Sequence, residues 1–161
     1  GAGSMMYIGL LGLTLHRKYL HAPAMGALTP TVWIHLAPIG VIPLSLMNVV
    51  EQLPYPAARE LAVVVMLLLW GFGVWWLVMA SLLTWSARAA GQLPFALSWW
   101  GFTFPLGAFV AESLRLNQLL GWQSVQAIGV AAWLLLCFFW GITLLRTARG
   151  VVSGAIFQPL A

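Results

Sequence analysis

Residues 66–85 read MLLLWGFGVWWLVMASLLTW, a run without a single charged side chain. As a helix rising 1.5 Å per residue it would be about 30 Å long, matching the hydrocarbon thickness of a bilayer. Apolar blocks of similar length recur along the chain and leave little between them. Hydrophobic residues make up 62% of the sequence and charged residues 6%, with a mean hydropathy of +0.96. A soluble domain needs about a quarter of its residues charged to cover its surface. The chain is therefore expected to be an all-α integral membrane protein.

Helices are expected over approximately residues 1–20, 30–50, 58–86, 94–117 and 121–147, all within a single transmembrane domain covering 1–161. The first is short: its apolar part closes at His16, Arg17 and Lys18, and residue 1 is not Met. It reads as the end of a helix whose start lies outside the sequence. A signal peptide would place its basic residues ahead of the apolar run, whereas here they follow it. The connections are short and rich in turn residues: Pro23 and Gly26, then Pro54 and Pro56, then Gly91 ahead of Pro94. Such links make neighbouring helices antiparallel hairpins. The tail from Val151 is assigned no structure.

Lys and Arg are retained on the cytoplasmic side of membranes. With the first helix ending inside, the inner segments hold Arg17, Lys18, Arg88, Arg146 and Arg149. The outer ones hold Arg59 and Arg115 with all three acids, Glu51, Glu60 and Glu112. That bias puts the C-terminus in the cytoplasm, in a multi-pass protein of the cell (inner or plasma) membrane. The net charge of +4 is thus spread over successive membrane edges. It is not gathered on one soluble face, so no nucleic-acid partner is expected.

Two spans differ from the others. Between Pro30 and Val50, Thr31, His35, Pro38, Ser45 and Asn48 recur at steps of three, four or seven, continued by Gln52. In SWWGFTFPLGAFVAESLRLN, residues 98–117, Ser98, Gly101, Pro105, Ala108, Glu112 and Arg115 do the same. The alternate spans are apolar or aromatic all round. Hairpins of one inner and one outer helix would produce this alternation. Two readings of the stripes stand: they pack helices closely, as small residues do in lipid, or they line a lumen. Pro38, Pro43 and Pro105 favour the lumen, because bent backbone at membrane depth is tolerated where it is buried in protein or faces water.

At 100° per residue Phe104 falls about 40° from Ala108, at the margin of the small-residue face, while Phe102 points toward neighbouring helices. If one ring closes a lumen, it is Phe104; otherwise Phe104 is a packing aromatic. His35 is an ionisable group well inside a span and a functional candidate by default. It would add positive potential, relay protons or bond a neighbouring helix. Glu112 and Arg115, three residues apart, are expected to pair at the outer mouth. The ten Trp suit interfacial belts or outer-helix packing, with Trp33, Trp85 and Trp122 near span ends.

Enzyme chemistry has little to draw on. The chain contains no Asp, and its three Glu are scattered. His16, His21 and His35 lack zinc-ligand spacing, and Cys137 stands alone. No phosphate loop, nucleophile elbow or dinucleotide fingerprint is present. Neither an enzyme activity, a metal nor a cofactor is expected.

The run SWWGFTFPLGAF, residues 98–109, resembles the ninth helix of the tellurite-resistance/dicarboxylate transporter family. That family includes bacterial tellurite-resistance proteins, fungal malate permeases and sulfite efflux pumps, and plant slow anion channels. PTVWIHLAPIGVIPLSLMNV, residues 30–49, is similar to its seventh helix, and LTLHRKYLHAPA, residues 13–24, to the end of the sixth and the loop after it. The resemblance implies about half of a ten-helix pore fold, with odd-numbered helices lining a central pore and even ones outside. It also implies a missing N-terminal half and a homotrimer. Phe104 matches the phenylalanine that plugs the pore, with Thr31, His35, Pro38, Ser45, Ser98, Gly101, Pro105 and Ala108 as its lining. The implied activity is passage of small anions, C4-dicarboxylates such as malate or sulfite and inorganic anions. A proton-coupled carrier or tellurite-resistance or sulfite exporter, and a structural membrane subunit, are the alternatives.

Overall fold

The computed structural model describes residues 1–20 and 26–154, without the side chains of Lys18 and Tyr19. His21, Pro23 and the end of the tail lie outside the described residues. Five α-helices follow one another: α1 (Ala2–Leu20), α2 (Leu36–Val50), α3 (Pro56–Ala89), α4 (Thr103–Leu120) and α5 (Gln123–Val152). Two tighter 3-10 segments, Thr29–His35 and Leu97–Phe102, lead directly into α2 and α4. No strand occurs among the described residues, and the chain is an all-α membrane protein.

Three helical stretches are long and apolar enough to cross a membrane: Thr29–Val50, Pro56–Ala89 and Gln123–Val152. α4 differs because it carries Glu112, Arg115, Asn117 and Gln118 in its second half. It packs against α2, α3 and α5, so neighbouring helices cover much of it.

The helix ends follow from local chemistry. Pro56 opens α3 at a position that needs no N–H donor. Gly91, at φ +67, closes α3 in a left-handed turn in which the Gln92 N–H reaches the Ala87 carbonyl at 2.8 Å. Gly121, at φ +66, does the same for α4 and turns the chain into α5 within two residues. α5 continues to Val152, beyond the 147 expected from sequence, because nothing in LLRTARGVV breaks a helix except a single glycine.

The prolines take different positions from those the sequence suggests. Pro105 is not a kink in the middle of a continuous helix. It is the third residue of α4, where a 3-10 segment becomes α-helical, and Pro38 is the third residue of α2 at the equivalent junction. The hydrogen-bond register changes from three to four residues at such a junction, and a residue without an N–H fits there. Among the described residues only Pro43 lies past the first turn of an α-helix, where it removes the donor that the Ile39 carbonyl would otherwise meet.

The core also corrects the expectation for tryptophan. Trp33 and Trp76 are fully buried. Trp33 meets Phe102 and Phe139 edge-on at 5.5 and 5.3 Å, and Phe102 stacks on Phe139 at 4.3 Å. Their indole N–H groups join helices: Trp33 donates to Thr84 Oγ1 and Trp76 to the Val32 carbonyl, both at 2.9 Å. A buried indole needs such an acceptor, and membrane helices gain more from these bonds than from hydrophobic burial.

Candidate permeation face

α2 and α4 run in the same direction, each separated from the next by one reversed helix. Their seam is set by Gly40. A Cβ there would sit 2.5 Å from the carbonyl carbon and oxygen of Ala108 and 2.9 Å from the Phe109 nitrogen. Backbone meets backbone, and only glycine permits it. One level away Gly101 faces the Pro30 carbonyl, 3.3 Å from where a Cβ would be. The Ser98 hydroxyl donates to the Ala27 carbonyl beside it. Of the α4 stripe, Pro105 and Glu112 are buried and Ser98, Gly101 and Ala108 are half-buried.

Beside the seam, on the side away from α3, both helices leave a strip uncovered. On α2 and the 3-10 turn before it, Thr31, Ser45 and Asn48 are exposed and Pro38 is half-buried; His35, also half-buried, is not part of this strip. On α4 the strip starts at Phe104, which is 70% exposed, and continues along the same edge through Ala108 and Ala111 to Arg115. Phe102, two residues earlier, is 0% exposed. An ion pair between Arg115 and Glu51 ties the two strips together at one end.

That pair overturns the expected Glu112–Arg115 contact. Arg115 reaches across to α2, and Glu112 lies one turn beyond Ala108 on the seam side, fully buried. Neither of its carboxyl oxygens has a hydrogen-bond partner. Three-residue spacing allows a pair without requiring one, and the sequence contains no signal for which neighbour each side chain meets. Gly40 was missed for the same reason. A faint signal exists, since Pro38-Ile39-Gly40 and Pro105-Leu106-Gly107 repeat the same pattern at the same place in their helices. His35 sits between aromatic rings, 4.5 Å from Trp76 and 6.0 Å from Tyr7 of α1, which places it toward α1 and α3. Among the described residues no group of His, Cys, Asp and Glu is placed to hold a metal ion.

A family model described as SLAC1, voltage-dependent anion channel, matches residues 1–148. The chain belongs to this family. Two uncharacterized transporters of Methanocaldococcus jannaschii are 40% and 39% identical over 158 residues, covering 98% of this chain and 46% of each relative. A sulfite efflux pump of Arthroderma otae is 27% identical over 157 residues, covering 91% of this chain and 40% of the pump. No solved structure matches. The chain therefore spans less than half the length of the curated relatives it matches. In this member of the SLAC1 family, the two lean helices share a strip that no other described residue covers.

Proposed function

We propose that this chain forms part of an anion-conducting pathway, with the α2–α4 strip as its share of the wall. The observation that carries this reading is Phe104, a large aromatic side chain left 70% exposed on a helix whose neighbouring Phe102 is fully buried. Thr31 and Ser45 would line the wall with hydroxyl groups, and Ala108 would set its closest approach. His35, Pro38, Ser98 and Gly101 would border it. Pro105, buried at the junction, would shape the wall without lining it. An aromatic constriction with few charges suits anions that shed part of their hydration and leave again. C4-dicarboxylates such as malate, sulfite and inorganic anions are the proposed substrates. The name of the fungal relatives supports sulfite among them.

The same reading puts the C-terminus in the cytoplasm, the complementary wall in an N-terminal half of the same fold, and the whole in a homotrimer. It is tested by anion currents of the complete protein in planar bilayers. Phe104→Ala raises conductance several-fold at unchanged protein content; unchanged currents remove Phe104 from the gate. A proton-coupled carrier is the second reading, favoured by the buried Glu112 carboxyl, which has no partner in the seam. Under that reading Glu112→Gln abolishes stimulation of flux by an imposed pH gradient, while uncoupled current stays small.

A further inference from the structure

The far side of the bundle from the strip carries a second feature. α3 and α5 run in the same direction, yet they make no close backbone contact among the described residues. The gap between them is an apolar groove floored by Trp33, Trp99 and Phe139. It consists of two adjoining depressions of about 550 and about 560 Å³ that share Ser81, Trp85 and Leu135. From Val74 to Arg88 along α3 it extends about 20 Å at 1.5 Å per residue. That exceeds the hydrocarbon depth of one leaflet, about 15 Å.

One end of the groove is cationic. Arg88 and Arg146 both line it where α3 and α5 approach their C-terminal ends. The Arg146 guanidinium lies 5.1 Å from the Trp99 ring and 5.7 Å from that of Phe95, contacts that hold it at the rim. The ion pair found among the described residues, Arg115–Glu51, is at the opposite end of the bundle. Glu60 is near the start of α3 and Glu112 in the second half of α4. Among the described residues, then, no carboxylate is paired with either rim arginine.

We propose that this groove binds an anionic glycerophospholipid of the adjoining leaflet, with an acyl chain along Ser81 and Leu135 and its phosphate between Arg88 and Arg146. Any lipid chain would fill an apolar groove; what makes this one selective is the cation pair at headgroup depth, which no described carboxylate neutralises. Basic pockets between transmembrane helices recognise phosphate headgroups in this way. Long arginine stems can lie along apolar surface while their heads reach the interface.

The test is native mass spectrometry of the complete protein, in a Cys137→Ser background, equilibrated with equal amounts of phosphatidylglycerol and phosphatidylcholine. Retained phosphatidylglycerol is expected to exceed phosphatidylcholine on the order of tenfold. Arg88→Gln with Arg146→Gln brings the ratio to parity at an unchanged melting temperature. Arg88→Gln alone lowers the ratio partway, which covers the case in which losing the Arg146–Trp99 contact disturbs folding. Ser81→Trp, which fills the groove and keeps both arginines, also removes the retained lipid. A ratio unaffected by the double substitution overturns the proposal. So does lipid retained by Ser81→Trp but displaced by millimolar inorganic phosphate, which would mean a bare anion site. A Ser81→Cys variant that forms disulfides between copies would show that a second chain covers the groove, and overturns it equally.

Discussion

α2 and α4 contrast with α3 and α5 at every level. The first two begin as 3-10 turns and carry a proline at the third α-helical position. They also meet each other backbone to backbone at Gly40. The other two run 34 and 30 residues with no proline past the first turn, and they stand apart. The difference follows from what each pair packs against. Helices such as α3 and α5, which pack on α2 or α4 along one side and leave the rest of their surface apolar, can be regular and long. A helix whose backbone approaches that of another, as α2 does that of α4, needs glycine at the contact.

The sharpest way to break this contrast is to treat the glycines of the two pairs alike. Gly40→Val pushes a branched side chain into the Ala108 carbonyl, which is fixed helical backbone and cannot move aside. A loss of about 3 kcal/mol, the upper end for overpacking, is expected as a fall in melting temperature and in the monodisperse fraction in detergent. Gly71→Ala on α3 has nothing within 4 Å of the new methyl group. It is expected to be neutral or to stabilise by up to about 1 kcal/mol through helix propensity. Equal effects at the two sites would dissolve the distinction.

The two phenylalanines sharpen it within a single helix start. Phe102→Ala empties a stack between α5 and the 3-10 segment that precedes α4. The unfolded reference in a membrane already keeps phenylalanine out of water, so only the cavity contribution remains. For about 100 Å³ at about 24 cal/mol per Å³ that is on the order of 2 kcal/mol. Phe104→Ala is expected to leave the stability within about 0.5 kcal/mol of the parent, whatever it does to conductance. A Phe104→Ala protein as unstable as Phe102→Ala would make Phe104 a packing residue. The smallest effect belongs to the Glu51–Arg115 pair. Each side chain is about a third exposed, and exposed ion pairs contribute about 0–1 kcal/mol. Glu51→Gln should therefore barely shift the melt, and the shift should vanish at high salt.

The candidate site was legible only in part. The stripes on α2 and α4 were visible in their periodicity, and Phe104 could be separated from Phe102 by angle alone. The assignment of partners was not visible. Arg115 pairs with Glu51, 64 positions away along the chain, whereas its neighbour Glu112 is buried. Trp33 and Trp76 looked like interfacial or outer residues, yet they occupy the core because Thr84 and the Val32 carbonyl accept their N–H groups. Periodicity fixes where a side chain points relative to its own helix axis. It carries nothing about which helix stands there.

By itself, then, the sequence determined the solvent, the all-α class, the antiparallel order and the helices that are lean. Each of these depends on composition or on residues close together in the chain. Only the tertiary structure decided that Gly40 sets the seam, that Glu112 is shut inside it, and that α3 and α5 part to leave a groove beside Arg88 and Arg146. Those outcomes depend on contacts between segments far apart in sequence, where the close approach of one backbone to another dictates what every side chain around it meets.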